Sequence, residues 1–265
     1  MILTTNKIKD TLKKFALNPK KNLGQNFILD FNILNKIVSV GCPLKNISVL
    51  EIGSGPGGLT TAIIKKKPKK IILVEKDKQF KPILEKIVEN YPSEKLTLII
   101  EDFLTLKLED IVCEPIKIFS NLPYYISTEI LFKLLPLNKN IYEIIFTFQK
   151  EVADRMLAKP GNKTYSRLSV LIQYACNITK QFNLNAKVFY PIPKVDSTVV
   201  KITSKKNVCP SLFKKLQYVT RVAFGKRRKI LKNSLSNIDN ISYHLNKIQI
   251  SDCLRPEQVT VNQYV

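Results

Sequence analysis

Residues 121–125 read Asn-Leu-Pro-Tyr-Tyr and follow the apolar run Ile-Lys-Ile-Phe-Ser at 116–120. A strand end ordinarily turns on glycine, aspartate or serine. This one carries a flat hydrogen-bonding amide beside aromatic faces, the groups needed to hold a planar base. A second cluster, VLEIGSGPGGLT at 49–60, sets Gly53, Gly55, Gly57 and Gly58 ahead of a helical pattern. Backbone amides there can approach a ligand with no side chain in the way. Glu75 ends the next apolar run about 20 residues on, the spacing at which an acid takes ribose hydroxyls in a dinucleotide site. Asp102 and Phe103 follow the run KLTLII, a carboxylate that can accept from an adenine amino group and a ring that can lie against the base. This pair and the Asn-Leu-Pro-Tyr turn move the reading from a nicotinamide dinucleotide toward S-adenosylmethionine.

The elements that must position these groups are legible in the apolar pattern. Between 47 and 148, ISVLEI, KIILVE, KLTLII, IKIFS and YEIIFTF alternate with the amphipathic stretches LTTAIIKK, KPILEKIVEN and TEILFKLL. That β-α alternation predicts a doubly wound α/β fold with a mostly parallel sheet, in which ligands sit at the carboxyl ends of the strands. All four candidate segments are strand ends. STVVKIT at 197–203 adds one more strand, and beyond about 204 the pattern turns helical. The expected division is therefore a nucleotide-binding domain at 1–204 and a small α-helical domain at 205–265. In the latter, Leu212, Leu216, Val219 and Ala223 recur at helical spacing ahead of the basic run Lys226, Arg227, Arg228 and Lys229, which the docked helix leaves facing outward as a phosphate clamp. The stretch KKKPKK at 65–70 reads as the solvated end of a helix and its loop.

Composition limits the chemistry. The chain has 43 basic and 21 acidic residues and a formal charge of +22, an excess that points to a polyanionic partner such as nucleic acid. Its five cysteines are widely spaced without a CxxC pair and read as buried small hydrophobes, not as a zinc site or a disulfide framework. With one histidine, His244, there is no material for a Ser-His triad or a histidine metal cluster, so no metal is expected. No apolar run approaches the roughly 18 residues of a membrane span, and the first fifteen lack a signal-peptide core. The expectation is a soluble, cytoplasmic protein.

The turn NLPYYIS resembles the Asn/Asp/Ser-Pro-Pro-aromatic signature of methyltransferases acting on exocyclic amino groups of bases. Together with NLGQNFILD at 22–30, EIGSGPGGLT, FQKEVADRM, YSRLSVLIQY, PIPKVDSTVV and FGKRRKILKNSL, it is similar to the small-subunit ribosomal RNA adenine N6,N6-dimethyltransferases, the KsgA family, from about residue 15 to 240. The resemblance implies a seven-stranded Rossmann-like methyltransferase sheet. It also implies transfer of methyl groups from S-adenosylmethionine to two adjacent adenosines in a 3′-terminal hairpin loop of 16S rRNA, with the small ribosomal subunit as partner and a monomeric enzyme. On this reading Asn121 and the Leu122 carbonyl, held by Pro123, accept hydrogens of the target amino group, and Tyr124 stacks on the base. Asn26 and Ile28 close over the donor, Gly53 sits by its methionine part, Glu75 holds its ribose and Asp102 its adenine. Phe189 walls the target-base pocket. Tyr125 stands where many relatives carry asparagine, and no role is carried over to it. The alternatives are the Erm-type enzymes of large-subunit rRNA, a non-catalytic nucleic-acid-binding factor on the same fold, and a dinucleotide oxidoreductase, which would leave the Asn-Leu-Pro-Tyr turn and the basic run unexplained.

Overall fold

The computed structural model describes residues 17, 19–20, 24–92 and 95–265. Asn22 and Leu23, which open the NLGQNFILD motif, and the first sixteen residues lie outside the described residues. The chain forms two compact units, one made of the described residues up to Lys150 with Thr179–Thr203, the other of Glu151–Ile178 with Ser204–Val265.

The first unit holds the sheet. A short strand β1 (Phe27–Ile28) leads into helix α1 (Phe31–Val40), and β2 (Ser48–Ile52), α2 (Gly58–Ile64), β3 (Lys70–Glu75), α3 (Lys81–Glu89), β4 (Leu96–Ile100), α4 (Leu108–Ile111), β5 (Ile116–Ser120), α5 (Tyr124–Leu134) and β6 (Ile141–Gln149) follow in the expected alternation. After α6 (Lys150–Leu157) and α7 (Arg167–Ala175) come β7 (Cys176–Leu184), β8 (Phe189–Tyr190) and β9 (Ser197–Ser204). The sheet order is β4-β3-β2-β5-β6-β9-β7, so strand order reverses at β2/β5, the switch point where open α/β sheets bind ligands. Strands β2 to β6 pair in parallel, and β9 runs antiparallel to β6.

Burial explains the strand composition. Every residue of β2 and β5 is buried, as expected for inner parallel strands covered on both faces. Val49, Ile71, Leu73, Phe119 and Ile145 share one core with Leu34, Ile37 and Val38 of α1 and Ala62 and Ile63 of α2. Each such side chain contributes about 1.5–3 kcal/mol on burial. Lys117, the polar residue inside β5, is satisfied: its ammonium donates to the Gly41 carbonyl at 2.8 Å and pairs with Glu143 at 3.2 Å. Helix α1 is capped by Asp30, whose carboxylate accepts from the Asn32 amide at 2.8 Å.

The second unit is helical, with α6 and α7 joined by α8 (Pro210–Gly225), α9 (Leu231–Ser234), α10 (Ile241–Lys247) and α11 (Val261–Tyr264). This corrects the expected single break at 204, because residues 151–178 belong with the C-terminal helices. The reason is apolar: α7 buries Leu168, Val170, Leu171 and Ile172 and packs along α8, with Tyr174 stacked on Phe213 at 6.2 Å. Helix α8 buries Phe213, Leu216, Thr220 and Ala223, with Val219 half-buried against the same core, so the expected docking face is kept and extended by Phe213 and Thr220. A small core of Ala223, Leu231, Leu235, Leu245, Ile250 and Val259 closes the unit. The cysteines depart from expectation: Cys176 alone is buried, while Cys42, Cys113, Cys209 and Cys253 are exposed at helix ends and in loops. Among the described residues, no helix is long and apolar enough to cross a membrane.

Candidate active site

The register of the parallel strands brings the predicted groups level. Ile52 pairs with Val74 and with Ser120, and Glu75 pairs with Ile100, so Gly53, Glu75, Asp102 and Asn121 leave the sheet at one carboxyl edge. They line one pocket together with Asn26, Gly55, Phe103, Leu122 and Pro123.

The glycines are there because the backbone must turn left-handed while other groups approach closely. Gly53 has φ 76°, and a Cβ on it would stand 3.0 Å from Leu122 Cδ2; Gly55 has φ 50°, and its Cβ would stand 2.9 Å from the Phe27 ring. The exposed amides are used: Gly53 N–H donates to the Val74 carbonyl at 2.8 Å and Gly55 N–H to Glu75 Oε2 at 2.8 Å. Glu75 Oε1 accepts from the Asp77 amide at 2.7 Å. Burial pushes the Glu75 carboxyl above its ordinary value, and these backbone donors pull it partway back.

Asp77, two residues beyond, is a hub that sequence reading missed. Its carboxylate takes Lys20 Nζ at 2.9 Å, Gln25 Nε2 at 2.8 Å and Gln79 Nε2 at 2.6 Å, tying the segment before β1 to the end of β3. Burial opposes its ionisation, but the bonds from Lys20 and Gln25 outweigh it and hold Asp77 below the usual carboxylate range. Asp102 behaves alike: burial raises it, yet Lys76 Nζ at 2.7 Å and the Leu104 amide at 2.9 Å keep it low and ionised. Phe103 is buried, with the Lys133 ammonium 5.5 Å from its ring centroid; Lys133 also donates to the Leu104 carbonyl at 2.6 Å, fixing this loop.

At the end of β5, Asn121 Nδ2 donates to the Asn26 carbonyl at 3.2 Å. The opposite amide orientation would set oxygen against oxygen, so Oδ1 points away from that contact. Neither Asn121 Oδ1 nor the Leu122 carbonyl accepts a hydrogen bond from any described residue. Pro123, at φ −52° and ψ 135°, stops the strand and starts α5, leaving these two acceptors side by side in sequence. Asn26, held in turn by its own bond to the Gly24 carbonyl at 2.9 Å, forms the facing wall.

Other predicted residues lie elsewhere. The Tyr124 hydroxyl meets Ser197 Oγ at 2.6 Å, and the half-buried ring lies outside the glycine-lined pocket; burial pushes its pKa up. Ile28 is buried and lines a smaller adjoining pocket with Glu51, Gly53 and Asn121. Phe189 is 3% exposed, pairs with Ile28 across the β1–β8 ribbon and packs into the core. Strand alternation turns the neighbouring Tyr190 out instead, at 47% exposure. Of the basic run, Lys226, Arg228 and Lys229 are exposed, whereas Arg227 donates to the Lys163 carbonyl at 2.5 Å and pairs with Glu257 at 3.7 Å within its own unit.

Glu51 was not anticipated either. It is fully buried in β2, neither carboxylate oxygen has a hydrogen-bond partner among the described residues, and burial pushes its pKa to about 8. Glu75 adds to the rise, while the Thr60 hydroxyl and amide oppose it. The uncharged acid is therefore the resident form at neutral pH, two residues before Gly53 opens the glycine turn.

Comparison with known proteins agrees with this geometry. Residues 16–265 match the family described as ribosomal RNA adenine dimethylase. The chain is 39% identical over 257 residues to a ribosomal RNA small subunit methyltransferase A of Wolbachia sp. subsp. Drosophila simulans, covering 96% of this chain and 93% of that one. It is 40% identical over 258 residues to the protein of the same name from Buchnera aphidicola, covering 96% of each. A dimethyladenosine transferase from Plasmodium falciparum superposes with a TM-score of 0.71 at 26% identity, over 88% of this chain and 92% of that one. An rRNA adenine dimethyltransferase is the enzyme these matches describe, and the chain belongs to the ribosomal RNA adenine dimethylase family.

Proposed function

We propose that this enzyme takes methyl groups from S-adenosylmethionine and transfers them to the N6 amino groups of two adjacent adenosines in a hairpin loop near the 3′ end of small-subunit rRNA. The observation that carries the reading is the pair of unengaged acceptors, Asn121 Oδ1 and the Leu122 carbonyl, at the rim of a pocket with a glycine floor and acidic walls. The names of the relatives favour the small subunit over the large one.

The residues fit such a donor. Gly53 and Gly55 line the pocket without side chains of their own, Glu75 has lone pairs to spare for ribose hydroxyls, and ionised Asp102 can accept from an adenine amino group. Asn26 and Phe103 complete the walls. When bound, the donor supplies a methyl carbon made electrophilic by a sulfonium.

The chain's own work is positioning and electrostatics. An adenine amino nitrogen is a poor nucleophile because its lone pair is delocalised into the ring. Asn121 Oδ1 and the Leu122 carbonyl would hold its hydrogens so that the lone pair returns to nitrogen. Tyr124, anchored by Ser197, stacks on the base, a contact worth about 1–3 kcal/mol. Each transfer replaces one N–H bond by N–C and releases one proton, and no covalent enzyme intermediate is required. Lys226, Arg228 and Lys229 are the phosphate contacts, with Arg227 bracing their turn. Calorimetric titration tests the donor assignment: S-adenosylhomocysteine binds and NAD does not. Binding of NAD alone would return the pocket to the dinucleotide reading.

A further inference from the structure

Tyr125 has no place in the chemistry above. It is the second residue of α5 and 60% exposed, and its hydroxyl hydrogen-bonds to none of the described residues. An aromatic ring left in water on the first turn of a helix contributes little to the core. Yet it lines the glycine-floored pocket, and the Cδ1–Cε1 side of its ring lies beside Gly24.

That contact is close. A Cβ on Gly24 would stand 3.3 Å from Tyr125 Cδ1, 3.5 Å from Cε1 and 3.4 Å from Pro123 Cβ, and Gly24 has φ 57°. Glycine is thus required twice over, for the left-handed backbone and for the ring resting on it. Gly24 is itself held in place: its carbonyl accepts from Asn26 Nδ2 at 2.9 Å, and Gln25 is tied to Asp77 at 2.8 Å. On the opposite side, the Lys76 ammonium keeps its proton chiefly through its bond to Asp102, and the Tyr125 and Glu129 side chains add to that hold. The ring therefore lines the pocket beside Gly24 and within electrostatic reach of Lys76.

We propose that Tyr125 is a positioning residue that covers the donor pocket, its ring closing on Gly24 to retain the bound donor and to slow release of the spent product. The proposal rests on the pocket being the donor site. It assigns the work to the apolar ring, since the hydroxyl has no hydrogen-bond partner among the described residues.

Stopped-flow release of S-adenosylhomocysteine from the full chain tests it. Tyr125→Ala should speed release about tenfold, the scale of one lost aromatic contact. Tyr125→Phe should release at the wild-type rate. Gly24→Ala, which leaves Tyr125 intact but pushes a methyl into the ring, should also accelerate release. Thermal unfolding of ligand-free Tyr125→Ala should match wild type, which a structural role for the ring would not allow. Release from Tyr125→Ala within twofold of wild type, or Tyr125→Phe behaving as Tyr125→Ala, overturns the cover. If wild-type protein fails to bind S-adenosylhomocysteine, the donor-site reading falls, a result distinct from a bound product that leaves at an unchanged rate.

Discussion

Replacing Glu51 with glutamine removes a titrating group while keeping its shape, and the structure sets the size of the effect. Full burial, with the Glu75 carboxylate adding to it and the Thr60 hydroxyl and amide opposing it, lifts the carboxyl from an ordinary 4.5 to about 8. Between those values the folded chain keeps a proton that the unfolded chain has released. The stability this group contributes is therefore complete below pH 4.5 and is lost as pH rises through 8. Each pH unit inside the window is worth 1.36 kcal/mol. Between pH 5 and pH 8 the loss integrates to roughly 3 to 4 kcal/mol, after allowing for partial titration at both ends. Glutamine cannot titrate, so the stability of Glu51→Gln minus that of wild type should grow by this amount across the interval. Urea denaturation at pH 5, 6, 7 and 8, followed by circular dichroism and taking the transition of the sheet-bearing unit, measures it; groups not coupled to Glu51 cancel in the difference, and making both chains in a Glu75→Gln background removes the one carboxyl that is coupled to it. A difference constant with pH would show that Glu51 is ionised in the folded state and that the burial argument is wrong.

The site supports three more expectations. Asn121→Ala should lower methyl transfer at least about a hundredfold, the scale of one preorganised polar contact, while S-adenosylhomocysteine binding measured by calorimetry stays near wild type; wild-type turnover would remove Asn121 from the mechanism. Asp102→Ala or Glu75→Ala should raise the donor dissociation constant with RNA affinity unchanged, and the reverse pattern would mean that the pocket takes RNA. Changing Lys226, Arg228 and Lys229 together to alanine should flatten the slope of log RNA affinity against log salt by about 2 to 3 at ~0.7–0.9 per phosphate contact, whereas a wild-type slope in filter binding would leave the run as surface charge.

The parts of the fold visible in sequence are those where burial dictates residue type. Inner strands such as Ser48–Ile52 and Ile116–Ser120 are covered on both faces and read as continuous apolar runs, so the sheet and its carboxyl edge could be placed. β7, Cys176–Leu184, sits at the sheet's edge, is buried only at its two ends and mostly polar, and carries no comparable pattern. The helices of 150–175 are amphipathic whichever unit they join, and only their packing on Pro210–Gly225 decides it. Phe189 and Tyr190 show the limit at one residue: in a two-residue strand nothing in the sequence tells which side chain faces inward, and the structure buries Phe189. Asp77 escaped notice because its partners Lys20 and Gln25 are more than fifty positions away, at separations of 57 and 52. Tyr125 could be flagged as a departure from the motif the turn resembles, but its contact with Gly24, 101 positions earlier in the sequence, exists only in the folded chain.

Mapping transferred methyl groups tests the central claim most directly. Small ribosomal subunits from cells lacking this methylation would be incubated with the protein and labelled S-adenosylmethionine, and the rRNA digested and sequenced by mass spectrometry. The account predicts N6,N6-dimethyladenosine at two adjacent positions near the 3′ end of the small-subunit RNA, and nowhere in large-subunit RNA offered in parallel. Label confined to large-subunit RNA, or found on small-subunit RNA at a position other than an adenine N6, would contradict it.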